Sequence, residues 1–146
     1  ACPSPRQGVT IYPFEEDTMV LVCAPEHPFA TRSEIALSEL AREPFIAFAP
    51  HIPTRHLIDE KLRLAGVEAT IVNTFDNIET IKNLVEIGSG VAILPLESAT
   101  REANENALKI VPLRPEDAFT RPTGILVKQT QLRSAVRAFV SAMRQE

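Results

Sequence analysis

One stretch constrains the fold of this chain more than any other: Asn73-Thr-Phe-Asp-Asn-Ile-Glu-Thr-Ile-Lys-Asn-Leu-Val-Glu-Ile-Gly-Ser-Gly-Val-Ala-Ile-Leu-Pro95. It reads as the end of a strand, a capped helix, a glycine turn and a buried strand. Asp76 is placed to cap the helix, because its carboxylate can accept from free N–H groups of the first turn. Glu79, three residues on, can reach back as in a capping box. Ile78, Ile81, Leu84 and Val85 share one helical face. Gly88 and Gly90 supply a left-handed exit that a side chain would resist. Val91 to Leu94 is continuously apolar, as in a parallel strand covered on both faces. The whole is a βαβ unit, in which the loop entering the helix commonly holds a ligand.

The rest of the chain alternates in the same way. Thr18 to Ala24 is a strongly apolar strand, and Val9 to Tyr12 a shorter one before it. Leu37 and Leu40 face inward from a single helical turn near Ser38 to Arg42, and Phe45 to Phe48 is a short buried strand. A second helix is expected over 54–65, capped by Thr54, with Leu57, Ile58, Leu62 and Ala65 as its stripe and Gly66 closing it. Ala69 to Val72 is the strand leading into the opening motif. Leu96 to Ala103 reads as a helix with little to anchor it, and Leu108 to Leu113 as an edge or crossover strand, since Pro112 cannot donate to a ladder. Arg114 to Pro122 is a polar loop. Gly124 to Lys128 is a strand, and Leu132, Val136, Phe139, Val140 and Met143 form one face of a terminal helix capped by Thr130.

Composition excludes several classes. With 146 residues there is room for one core, or for one lobe with part of another. A net charge of −4 argues against a broad nucleic-acid surface, which needs clustered Lys and Arg. Cys2 and Cys23 match no metal or redox spacing and no disulfide framework, which points to a reducing compartment. No apolar run reaches the roughly 18 residues that cross a bilayer. The cytoplasm is the expected location. His27 and His56 lack the partners a metal site needs, and no nucleophile signature is present, so no metal, cofactor or catalysis is expected. The opening Ala1 to Gly8, a loop without a leading methionine, suggests a piece of a longer chain.

Two loops carry polar chemistry. Phe48-Ala-Pro-His-Ile-Pro-Thr-Arg55 places His51, Pro53, Thr54 and Arg55 where a strand feeds a helix. Free N–H groups and a guanidinium fork there favour an anion; the alternative is that Thr54 merely caps while His51 and Arg55 are solvated. Thr74, Asp76 and Asn77 open the other helix. The alternative for Asp76 is a simple cap, and its charge would repel an anion, so the two loops disagree about ligand charge. The Gly88-Ser-Gly90 turn follows its helix rather than preceding it and matches no phosphate-binding fingerprint, so it is read as structural.

With these residues laid out, the chain resembles the effector-binding domain of LysR-type transcriptional regulators. The cues are Asp17-Thr-Met-Val-Leu-Val22 with His27-Pro28, Glu43-Pro-Phe-Ile46, Thr54-Arg55 with Ile58-Asp59, Asp76 to Lys82, Gly88 to Pro95 and the closing Ala138-Phe139. The resemblance implies an α/β, periplasmic-binding-protein type II-like fold, with the second lobe essentially complete plus part of the first. Residues 1–24 would be a first-lobe remnant and outgoing crossover strand, 25–109 the second lobe, and 110–146 the returning crossover with the first lobe's closing strand and helix. It further implies a small-molecule effector held between the lobes by Thr54, Arg55, His51, Pro53, Thr74, Asp76 and Asn77. DNA would be reached only through a helix-turn-helix domain not in this chain, in a homo-oligomer. A transport receptor of the same fold is the alternative reading, and an upstream signal peptide rather than a helix-turn-helix would favour it.

Overall fold

The computed structural model describes residues 16–122. The strands expected at Val9–Tyr12 and Gly124–Lys128, and the terminal helix, lie outside them. The chain divides into two units, one of Ala1–Glu16 with Pro122–Glu146 and one of Asp17–Arg121; the second is described here.

Strand β1 (Glu16–Cys23) lies between two antiparallel neighbours, β4 (Ala92–Pro95) and β5 (Lys109–Val111). Strands β2 (Pro44–Phe48) and β3 (Thr70–Phe75) form a separate parallel ladder. The two ladders meet at one bridge, where Ile46 donates to the Val91 carbonyl at 2.8 Å and Val91 to the Pro44 carbonyl at 2.9 Å. Gly90 makes this approach possible: a Cβ there would stand 2.7 Å from the Pro44 oxygen. Its φ is not positive, so of the two glycines only Gly88, at φ +84°, is the left-handed exit. Val91 to Leu94 is buried throughout, and with Met19 to Cys23 and Phe45 to Phe48 it makes the centre of the core.

Helix α1 (Pro53–Leu64) buries Thr54, Ile58 and Leu62, while Ala65 is exposed. Its N-cap is Ile52, which makes no side-chain cap bond; Pro53 takes the first helical position, where a missing N–H costs nothing. Thr54 is therefore not the cap. Helix α2 (Ile78–Glu86) starts one residue later than expected: Asn77, not Asp76, has the extended cap backbone, and its side-chain oxygen accepts from Glu79 N at 2.7 Å. Glu79 does not close a capping box but pairs with Lys82 at 3.0 Å.

Helix α3 (Leu96–Asn104) is firmly anchored, contrary to expectation. Lys82 of α2 lies buried among the apolar stripe and donates to Glu102 at 2.9 Å and to the Ser98 carbonyl at 2.7 Å. Arg101 also reaches Glu102 at 2.7 Å. The hydrogen bond from Lys82 holds the Glu102 carboxyl below its ordinary range, against the opposing effect of burial. Burial works to lower the Lys82 pKa, but its bonds to Glu102 and Glu79 prevail and raise it. The remaining Glu102 oxygen is buried without a partner, so the pair is incompletely satisfied.

The other differences are local. Strand β3 continues from the expected 69–72 through Asn73 to Phe75, and the loop 114–122 ends in a short strand, β6 (Thr120–Pro122), paired with β1. His27 caps a 3-10 turn at Pro28–Thr31 through Nδ1, which accepts from Phe29 N, and its Nε2 lies 2.8 Å from Glu43.

Two outcomes follow from this packing. Lys82→Met leaves the buried Glu102 carboxylate with the exposed Arg101 alone and lowers stability by on the order of 3 kcal/mol, whereas Lys82→Met with Glu102→Leu recovers most of it; urea unfolding measures both. Glu102 titrates lower in the folded state, so its contribution is present at neutral pH and fades as pH falls below the ordinary value of 4.5. Lys82 contributes until pH rises through a folded value above 10.5. Separately, Cys23 is fully buried, and burial, with Glu43 adding and Lys109 opposing, pushes its thiol up to about 11. In a Cys2→Ser background at pH 8, a disulfide reagent should leave Cys23 unmodified until denaturant is added.

Candidate functional site

Three strands run the same way and finish at one edge of the sheet. Strands β2 and β3 end side by side, Ala49 N donating to the Phe75 carbonyl at 2.8 Å. Strand β4, parallel to β2 at the Phe45–Val91 bridge, ends there in Pro95, opposite Met19 near the start of β1. Each of these strands feeds a helix, so α1, α2 and α3 all begin at this edge and turn their positive ends toward it. His51, Asp76 and Asn77 lie in the loops entering α1 and α2, Pro53, Thr54 and Arg55 in the first turn of α1, and Thr74 is exposed on β3 just before its end.

Within this edge the candidates divide. His51, Pro53, Asp76 and Asn77 are exposed. Asn77 is committed as the α2 cap through one oxygen. Arg55 does not offer its fork outward: Nε sits 3.0 and 2.9 Å from the two Asp59 oxygens and Nη1 donates to the Phe48 carbonyl at 2.9 Å. That turn of α1 is thereby tied to the end of β2. Thr54 is only 5% exposed, and its hydroxyl oxygen accepts from Arg121 Nη1 at 3.1 Å. The N-terminus of α1 itself has no side-chain cap. Neither has that of α3, and in the first turn of α1 Arg55 N donates to the Ile52 carbonyl at 2.9 Å.

Sequence reading missed two residues here. Arg121 Nη2 donates to Asp17 at 2.7 Å, so one guanidinium joins the start of β1, the end of β6 and the first turn of α1. Arg121 had looked like loop, and a pair 104 positions apart leaves no periodic trace. A groove of about 540 Å³ lies elsewhere, along Asp59, Leu62, Arg63 and the turn Gly66–Ala69, and includes none of the candidates. Among the described residues no group of three or more His, Cys, Asp or Glu could hold a metal ion.

The chain matches the LysR substrate binding domain family over residues 1–146. It belongs to that family. A probable RuBisCO transcriptional regulator of Cyanidioschyzon merolae is 32% identical over 108 residues, 72% of this chain and 36% of that protein. The uncharacterized HTH-type transcriptional regulator YnfL of Escherichia coli is 34% identical over 117 residues, 78% and 38% of the two. This LysR-family chain thus spans between a third and two fifths of the length of these curated relatives. Among solved structures, the Synechocystis CcmR regulatory domain in complex with 2-PG superposes with TM-score 0.70 at 19% identity, covering 99% of this chain and 72% of that one. The effector binding domain of QuiR in complex with shikimate gives 0.68 at 20% identity, covering 83% and 57%. These likenesses establish the periplasmic-binding-protein type II-like α/β fold. No helix among the described residues is long and apolar enough to cross a membrane.

The two adjacent cap candidates separate experimentally. Asn77→Ala should cost about 1 kcal/mol in urea unfolding, because two α2 amides lose their acceptor, while Asp76→Ala should change stability by less than about 0.5 kcal/mol.

Proposed function

We propose that this LysR-family domain senses a small-molecule effector at the edge where β2, β3 and β4 end. The observation that carries the reading is the convergence of three helix N-termini there, two of them, α1 and α3, without a side-chain cap. Such an edge suits a ligand with oxygen acceptors, since backbone N–H groups can donate to it without any charge being desolvated on the protein side. His51, Pro53, Thr74, Asp76 and Asn77 supply the exposed rim, and Asn77 and Thr74 can bond a neutral group as readily as a charged one. Thr54 and Arg55 serve the site from behind, as supports of α1 rather than as ligand groups.

The relatives' description as transcriptional regulators supports a sensing role over transport or catalysis. In this reading the whole protein acts in the cytoplasm as a homo-oligomer and touches DNA through a helix-turn-helix domain outside residues 1–146. An effector changes transcription only by binding one arrangement of that assembly more tightly than another. No cofactor and no reaction enter the proposal.

Thermal unfolding of the full chain with 2-PG, shikimate and a panel of organic acids tests the site. A binder at a hundred times its Kd stabilises by about 2.7 kcal/mol and raises Tm. His51→Ala and Thr74→Ala, both at exposed positions, should weaken that shift. A shift that survives both substitutions undiminished would place the ligand elsewhere.

A further inference from the structure

The chain passes between its two units at only two places, between Glu16 and Asp17 and between Arg121 and Pro122. The residues on the described side of both crossings are bonded to each other, Arg121 Nη2 to Asp17 at 2.7 Å. Just before them, Met19 N donates to the Phe119 carbonyl at 3.0 Å, so β1 and β6 arrive as a pair. The other terminal nitrogen of the same guanidinium holds Thr54, in the first turn of α1.

We propose that Arg121 is the positioning residue of the candidate site. Through Thr54 it sets the first turn of α1, and through Asp17 it makes that turn answer to the two crossings. The inference rests on the site proposed above but concerns its control rather than its ligand. Three features of the contact support it. The guanidinium is planar and bidentate, so a shift of Asp17 or of β6 rotates the fork and must either drag or release Thr54. Thr54 is buried, so its hydroxyl oxygen, once released, would lose its donor with little access to water in exchange. Ile58 and Leu62 hold the later turns of α1 in the core, and Arg55 straps the first turn to Phe48, so Arg121 is the second tie on that turn and the one that reaches Asp17. Linkage then makes the effect reciprocal: an occupant that fixes the first turn of α1 also favours one placement of Arg121 against Asp17.

Amide hydrogen exchange of the full chain without any ligand tests this. Asp17 and Thr54 share Arg121 as a partner and have no bond to each other. Asp17→Asn should therefore speed exchange in the first turn of α1 by about tenfold while α2 and α3 keep their wild-type rates. In a Thr54→Val background the same substitution should add nothing, and Arg121→Lys, which keeps the charge but loses the fork, should reproduce the Asp17→Asn pattern. Unchanged exchange in α1, additive effects of Asp17→Asn and Thr54→Val, or equal acceleration of all three helices would each overturn the positioning role. Since no ligand is present, a failure here leaves the proposed site standing, and a failed acid panel leaves this result standing.

Discussion

The architecture of this unit depends on a missing Cβ. Gly90 lets the chain pass close enough to Pro44 for Val91 and β2 to exchange backbone hydrogen bonds. Without that approach the β2–β3 ladder and the β1-centred ladder would be separate pieces with separate edges. Joined, they bring the ends of β2, β3 and β4 to one side, and with them the starts of three helices. The polar edge is thus a consequence of backbone proximity first and of side chains second. Any substitution at Gly90 acts on the alignment of the edge as well as on packing, because the atom in the way is backbone and cannot rotate aside.

Charge is used sparingly but at decisive places. Lys82 and Glu102 tie α2 to α3 from within the core, while Arg121 ties α1 to both ends of the unit. Neither link resembles a surface ion pair, where screening and side-chain entropy leave little net gain. A partly or fully buried link is directional, and its loss strands a group that water cannot easily reach. Helix orientation here is consequently set by a few polar contacts laid over an otherwise apolar core.

Much of this was legible in the sequence, for reasons that differ by residue. The run Val91–Leu94 and the spacing of Ile81 and Val85 report burial directly, because periodicity and packing share the same cause. Gly88 was legible as a helix exit, and Pro53 offered a usable cue for the start of α1 that the more familiar capping residue Thr54 obscured. Asp76 and Asn77 are both good caps, and only the backbone at Asn77 decides between them. What could not be read was any contact made at a distance. Lys82 is a charge on an apolar face until Glu102 is brought to it, and Arg121 is an ordinary loop residue until β6 is laid beside β1. The partners of Arg55 were hidden for the same reason, since they lie on its own helix and on the preceding strand.

Strand β3 carries a consequence of another kind. Among the described residues it pairs only with β2, and it is exposed along nearly its whole length, with Ile71 and Val72 at 40% and 45%. Its sequence, Thr70-Ile-Val-Asn-Thr-Phe75, is rich in β-branched residues and holds none of the lysines or prolines that blunt a sheet margin. A bare ribbon of that composition is a template for further strands, so the colloidal behaviour of this protein is governed by whatever shields these six residues.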